Sequence, residues 1–340
     1  MNYFQGRRMK VKWQGQMSSE RELNGGGPQG STFGLWEFLS QSNDNADSIE
    51  EEDRFKFVDD LSFLEIIYLL SVGLSSYNLH THIPSKIPSH NQVIPGEHLK
   101  SQEQLNRINE WTKEKKMILN EKKTKNMIFN FSKNYQFSTV LKVNDSELDM
   151  VSETKLLGTV ITDKLTWDRN SEELIKKGYK RMQLLNAAAS FTNARNDLKD
   201  IYLTFIRSIL EQSAVVWHSS LTQKNRKDLE RVQKAAVRVI MGKSYISYKH
   251  GLKVLKLDTL ERRREKLCLR FAQNCLKTEK VKNLFPLNNS KHKMNLRNKR
   301  KYKTNKQNTK RYKNSALPYM RKLLNNEHRK KQKIIKAIQT

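Results

Sequence analysis

A helical hydrophobic pattern continues from Trp167 to Cys275 and limits what the second half of the chain can fold into. Apolar residues recur there every three or four positions, as they do on one face of an α-helix. Capping residues and apolar stripes divide the pattern into helices that start near Asn170, Leu198, Thr222 and Asp258. Residues 166–276 are therefore predicted to form an all-helical domain.

The same spacing predicts which side chains are buried. The predicted stripes are Leu174, Gly178, Arg181 and Leu185, then Leu198, Ile201, Tyr202, Phe205 and Ile209, and finally Leu260, Leu267, Phe271 and Cys275. Positions between the stripes are expected to face solvent. Arg262, Arg263 and Arg264 are accordingly predicted to form a basic outer face that can meet phosphate.

The first part of the chain combines short strands with a helix. A helix is predicted from Leu99 to Asn120, a strand from Asn126 to Phe131, and a hairpin whose turn is Asn144-Asp145-Ser146. Residues 76–96 contain several prolines and histidines and are predicted to form a long loop. The fold class is thus α+β, with a sheet-containing domain at 1–165, the helical domain at 166–276 and a tail at 277–340.

The charge of the chain points to a polyanionic partner. The net charge is +29 in 340 residues, which phosphates can neutralise, so nucleic acid is the first candidate and an anionic membrane surface the second. The apolar stretch from Leu61 to Leu74 contains Glu65 and is too short to span a bilayer. Cys268 and Cys275 fit reduced core thiols, which predicts an intracellular protein of the nucleus or cytoplasm, not a secreted one.

The last part of the chain is strongly basic. Residues 291–340 contain 18 Lys or Arg residues and one acid, Glu327. Such a composition predicts a largely disordered tail, with a short helix around Leu317 to Leu324, that orders on a polyanion. Tyr302 and Tyr312 are candidates for stacking on unpaired bases. The alternative is a solvated basic end without a dedicated partner.

Two adjacent carboxylates, Asp59 and Asp60, follow an alternating strand pattern that contains Phe55 and Phe57. We predict a hairpin with this pair in its turn. Like charges in sequence repel each other, and a divalent cation such as Mg²⁺ would remove that repulsion. A solvated turn without a metal is the alternative interpretation.

A glycine-rich segment precedes the acidic pair. It includes Gly27, Pro28, Gln29, Gly30 and Ser31, and a helical pattern follows from Leu35. Glycines permit close approach of a ligand to the backbone, and the start of a helix favours a phosphate or a nucleotide. A flexible surface loop remains the other interpretation.

These segments together resemble the reverse transcriptases of non-LTR retrotransposons. The matching pieces, in the family's order, are Gly27-Pro28-Gln29-Gly30-Ser31, Phe57-Val58-Asp59-Asp60, Leu119-Asn120-Glu121-Lys122-Lys123-Thr124, Lys155-Leu156-Leu157-Gly158, and the helical region that contains Val216-Trp217 and Leu229-Glu230-Arg231. The resemblance implies part of a polymerase palm, followed by a helical thumb and the basic tail.

The resemblance also implies a role for each segment. The glycine-rich segment and Lys123 would bind template and incoming nucleotide, while Leu157 and Gly158 would support the primer end. Asp59 and Asp60 would be catalytic and would hold Mg²⁺ or Mn²⁺. The implied partners are an RNA template, a DNA primer and a deoxynucleoside triphosphate.

The family's upstream aspartate strand and fingers have no counterpart before the glycine-rich segment. Two-metal catalysis needs carboxylates that converge on both ions. The expectation for this chain alone is therefore no polymerase activity. The alternatives are a non-catalytic nucleic-acid-binding remnant of a mobile element, and a relic with little stability.

Overall fold

The computed structural model describes residues 8–22, 54–57, 60–63, 67–70, 73–76, 91–95, 99–131, 136–192, 194–288 and 300–339. The described chain combines helices with small two-stranded sheets, which agrees with the predicted α+β class. It divides into two compact units, residues 1–150 and 151–340. The predicted boundary at residue 165 differs from this division, since the hairpin at 153–162 packs on a helix of the second unit.

The first unit has short strands that pair two by two. The antiparallel pairs are β1 (Arg8–Met9) with β4 (Arg21–Glu22), β2 (Lys12–Trp13) with β3 (Gln16–Met17), β5 (Arg54–Phe57) with β6 (Asp60–Phe63), and β7 (Ile67–Leu70) with β8 (Gly73–Ser76). The parallel pairs are β9 (Asn91–Pro95) with β11 (Gln136–Val140), and β10 (Lys125–Asn126) with β14 (Asp149–Met150). The predicted strand at 126–131 is thus shorter and begins one residue earlier.

Helix α1 (Lys100–Glu114) ends earlier than its predicted limit at Asn120. Lys116 adopts a φ of +56°, and the amide of Met117 donates to the carbonyl of Thr112 at 2.7 Å. A left-handed residue followed by this bond is the Schellman way of ending a helix. The small core beside α1 consists of Leu99, Leu105, Leu141, Val143 and Leu148.

The predicted hairpin around Asn144 is confirmed. It joins β12 (Lys142–Val143) to β13 (Ser146–Glu147), and Asn144 adopts the positive φ of +51° that its turn requires. The side chain of Asn144 donates to Glu121 and accepts from Asn109, each at 2.9 Å. These bonds tie the turn to α1 and to the segment that follows it.

The second unit begins with a hairpin and continues as helices. Its elements are β15 (Glu153–Leu156), β16 (Thr159–Thr162), α2 (Asp168–Phe191), α3 (Arg195–Ile201), α4 (Ser208–Glu211), α5 (Ala214–Trp217), α6 (Gln223–Met241), α7 (Tyr248–Val254), α8 (Leu260–Cys275), α9 (Glu279–Lys282), α10 (Lys310–Asn314) and α11 (Ala316–Gln339). A π-helical segment, Tyr202–Arg207, joins α3 to α4. The main core lies among α2 to α8, which fall in the region 166–276 predicted to be helical, but the compact unit extends from 151 to 340 and includes a hairpin and a second core.

The predicted stripe of α2 is wrong at Arg181, which is exposed while Met182 is buried, and the other two predicted stripes are shifted. In the second, Leu198, Tyr202, Ile206 and Leu210 are buried, while Phe205 is 41 % exposed. Side chains four residues apart lie on the same face of a helix, and the buried face follows this spacing instead of the predicted one. In α8 the buried face is Leu260, Arg264, Cys268, Ala272 and Cys275, and Phe271 is 43 % exposed.

The predicted helix caps are partly wrong. Thr222 caps α6, which agrees with the predicted start, and Gly242 follows its last residue, but Thr259, not Asp258, caps α8. Asn170 lies inside α2 and is buried, and its side chain accepts a bond from the amide of Val160 at 3.1 Å. An Asn at a helix start can serve a neighbouring strand instead of its own helix.

The tail prediction needs correction where the structure describes the tail. Residues 316–339 form one long helix, α11, whose Met320, Leu323 and Leu324 pack in a second core with Phe285. Tyr302 belongs to the same core and is 7 % exposed, so its ring is not available to stack on bases. Burial of the apolar residues spaced along α11 offsets the conformational entropy that is lost when the helix orders. Charged residues alone would not offset it.

Candidate nucleic-acid interface

The hairpin predicted for the acidic pair is present. Phe57 pairs with Asp60 in the antiparallel register of β5 and β6, which places Asp60 at the first position of β6. Asp59 lies outside the described residues, as do Gly27, Pro28, Gln29, Gly30 and Ser31. Within the described residues, no group of three or more His, Cys, Asp and Glu side chains could hold a metal ion.

Lys123 lies in a tight turn after α1. Its amide donates to both the carbonyl and the side chain of Asn120 at 3.1 Å, and the amide of Thr124 donates to the same carbonyl. These bonds fix the backbone of the turn and leave the Lys123 side chain exposed. The turn belongs to the first unit, as the β5–β6 hairpin does.

Leu157 and Gly158 form the tip of the β15–β16 hairpin. Their φ angles of +46° and +80° are those of a type I′ turn, which favours glycine at the second position. The side chain of Gln212 donates to the carbonyl of Leu157 at 3.3 Å. The tip is therefore held against the helices of its own unit while Leu157 remains 49 % exposed.

Helix α6 presents a basic stripe that the hydrophobic pattern of the sequence did not single out. Between residues 224 and 238, every exposed side chain of α6 is basic, namely Lys224, Lys227, Arg231, Lys234 and Arg238. These five residues are called the α6 basic stripe below. At 1.5 Å per residue the stripe extends about 21 Å, roughly six phosphate steps of one nucleic-acid strand.

Two tyrosine rings contact cations of the α6 basic stripe. Nζ of Lys234 lies 5.4 Å from the ring centre of Tyr248, and Cζ of Arg238 lies 5.3 Å from the ring centre of Tyr245. The hydroxyl of Tyr248 donates to Glu230, and burial and that carboxylate raise the pKa of Tyr248 far above its usual value. The phenol of Tyr248 therefore stays neutral. Tyr248, the first residue of α7, and Tyr245, which precedes that helix, thus each lie beside a cation of the stripe.

Arg262, Arg263 and Arg264 do not form the predicted basic face. Arg262 is exposed and pairs with Asp258 at 3.5 Å, Arg263 pairs with Glu211 at 3.0 Å, and Arg264 is fully buried. Consecutive helix positions are about 100° apart, so three neighbours cannot share one face.

The two units differ in charge. Residues 151–340 contain 46 Lys or Arg residues and 15 acids, while residues 1–150 contain 18 and 20. The second unit therefore carries the whole positive excess of the chain. Among the described residues, no helix is both long and apolar enough for a membrane span.

Comparisons of the chain with protein-family models, with curated proteins and with solved structures found no match. The geometry of the described residues is thus the basis for the function proposed next.

Proposed function

We propose that the chain is part of a reverse transcriptase of the non-LTR retrotransposon type. In this proposal residues 1–165 are part of a palm and residues 166–276 a thumb that grips the template–primer duplex. The observation that carries it is the α6 basic stripe, because its length and uniform charge suit a run of phosphates. The sequence order of the family segments, with Asp60 opening β6, supports it.

The proposed substrate is an RNA/DNA hybrid, contacted mainly through its backbone. Phosphate contacts position a duplex without reading its sequence. The exposed tip at Leu157 and Gly158 would support the primer end, and Lys123 would meet the template or nucleotide. Carboxylate oxygens such as those of Asp59 and Asp60 suit Mg²⁺, which would supply positive charge for nucleotidyl transfer.

Binding of a fluorescent RNA/DNA hybrid at several salt concentrations tests the proposal. Replacing Lys227, Lys234 and Arg238 with alanine should weaken binding and lower the slope of log K against log salt by about 2 to 3, near one for each phosphate that is no longer neutralised. The matched control replaces the exposed Lys176, Lys180 and Arg181 of α2, so that three positive charges are removed in each variant. An equal weakening of binding in the two variants would contradict a dedicated interface on α6.

A non-catalytic binding module is the second candidate function. It is favoured because the positive charge is concentrated in residues 151–340, whereas the acidic pair Asp59 and Asp60 lies in residues 1–150. Primer extension on an RNA template with Mg²⁺ tests the polymerase candidate directly. Incorporation that Asp59→Ala and Asp60→Ala abolish supports a polymerase and contradicts the expected inactivity of the chain alone, while hybrid binding without incorporation fits both candidates.

A further inference from the structure

Arg264 is a buried cation with most of its donors unused. It projects from α8, is fully buried, and lies 5.6 Å from the ring centre of Trp217. Its Nε donates to Nδ1 of His218 at 3.3 Å, but Nη1 and Nη2 have no hydrogen-bond partner in the part of the chain that the structure describes. Buried guanidinium groups are normally paired, because an unpaired buried charge is strongly unfavourable.

The neighbouring unpartnered atoms are also donors. Because Nδ1 of His218 accepts from Arg264, the proton of the neutral imidazole is on Nε2. Burial lowers the pKa of His218 to about 3, so the ring is neutral at pH 7. Nε2 of His218 and Oγ of Ser219 are buried and, within the described residues, lack partners. Nε2 of His218 is therefore a further buried donor without a partner, while Oγ of Ser219 can donate or accept.

The carboxylates whose charges act on Arg264 already bind other groups. The carboxylate of Glu261 binds Arg226 at 2.6 Å, and that of Glu211 binds Arg263 at 3.0 Å. Glu230 accepts from the amide of Leu260 at 3.1 Å and from Tyr248.

The backbone shows the same shortage of acceptors. The carbonyls of His218 and Ser219 both accept from Arg226, at 3.2 and 3.4 Å. The charge of Arg264 therefore has no dedicated counter-charge in the described chain.

We infer that Nη1 and Nη2 of the Arg264 guanidinium bind a monovalent inorganic anion such as chloride. A water molecule fits less well, because it brings two protons of its own to a site rich in donors. Phosphate fits less well because desolvating a multiply charged ion in an enclosed site is far more unfavourable. One negative charge matches the one unpaired positive charge.

Thermal unfolding of the full chain tests the site. Gluconate is replaced stepwise by chloride or bromide at constant ionic strength, so that general screening of the net charge of +29 stays fixed. The melting temperature of the wild type should rise with halide concentration. Arg264→Met, which keeps an unbranched apolar stem but removes the charge, should abolish this rise, and Arg270→Met, at an exposed position of α8, should retain it.

Bromide-soaked crystals give a second measurement that does not depend on the folding of the Arg264→Met variant. An anomalous bromide peak within hydrogen-bonding distance of Nη1 or Nη2 is the expected result. Bromide confined to surface lysines and arginines would overturn the inference, as would a halide response that is equal in the wild type and in Arg264→Met.

Discussion

His218 is the buried residue whose protonation has the largest expected effect on stability. It is fully buried between Arg264 and the ring of Tyr319, whose centre is 5.7 Å away. Burial, and then the charges of Arg264 and Arg226, lower its pKa to about 3. Protonation of the folded protein would place a second cation beside a guanidinium that already has few partners.

This shift predicts a pH dependence with a definite sign. Between pH 3 and the unfolded-state pKa of about 6.5, the unfolded chain binds more protons at His218 than the folded chain. The free energy of unfolding should therefore fall as pH falls through this window, by up to about 1.4 kcal/mol per pH unit. Above about pH 6.5 the residue should contribute no slope.

The His218→Asn variant isolates this contribution, because asparagine still offers an acceptor to Nε of Arg264 but does not titrate. Urea unfolding at pH 4 to 8 should give a shallower pH dependence for His218→Asn than for the wild type. His328→Asn, on α11, is the control and should follow the wild type. Parallel curves for all three proteins would contradict the buried, neutral state of His218.

At the scale of elements, a feature could be predicted from the sequence when the residues that determine it lie within the element itself. The turn at Asn144 and the limits of α6 follow from residues within the element, since Asn favours a positive φ and Thr and Gly favour caps. The π-helical segment and the burial of Arg264 depend on packing between elements that are distant in sequence. The α-helical period of the sequence predicts neither the π-helical segment nor the burial of Arg264.

The candidate site shows the same limit. The family segments follow from their sequence order, but the apolar pattern alone does not indicate the α6 basic stripe. The cations at 224, 227, 231, 234 and 238 already follow helical spacing in the sequence. Plotting charged as well as apolar residues by helical period would have revealed the stripe.

Helix α11 gives the prediction at this scale. Met320 is 2 % exposed and shares a core with Cys268, so Met320→Ala should lower the free energy of unfolding by about 2–5 kcal/mol. Burial raises the pKa of Cys268 to about 12, so its thiol should be inert in the wild type and react with a thiol reagent faster in Met320→Ala.

A truncation after residue 330 is the control for α11. It removes Lys331, Lys333 and Lys336 but none of the described core residues, so the free energy of unfolding should change by less than about 0.5 kcal/mol. Equal destabilisation by the truncation and by Met320→Ala would contradict the packing of the first turns of α11. A chain cut before Tyr302 is a poor test of nucleic-acid binding, because it removes part of the second core as well as charge.

At the scale of the whole molecule, the boundary between the two compact units is also the boundary between the part of the chain with a slight excess of acids and the strongly basic part. Both large cores lie within residues 151–340, and neither includes a residue of the first unit. Residues 151–340 also carry the positive excess, with 46 basic residues against 15 acids. Stability and electrostatic attraction for polyanions are thus properties of the same part of the chain.

This coincidence predicts that residues 151–340 fold and bind without the first unit. The fragment should unfold cooperatively, because its cores are self-contained, and its salt slope for an RNA/DNA hybrid should match that of the full chain. Residues 1–150, with 18 basic residues against 20 acids, should bind the hybrid far more weakly. Calorimetry and fluorescence anisotropy on the two fragments and the full chain measure this. A fragment 151–340 that melts without a transition, or whose slope falls by more than about 2, would show that the first unit supplies part of the fold or of the phosphate contacts.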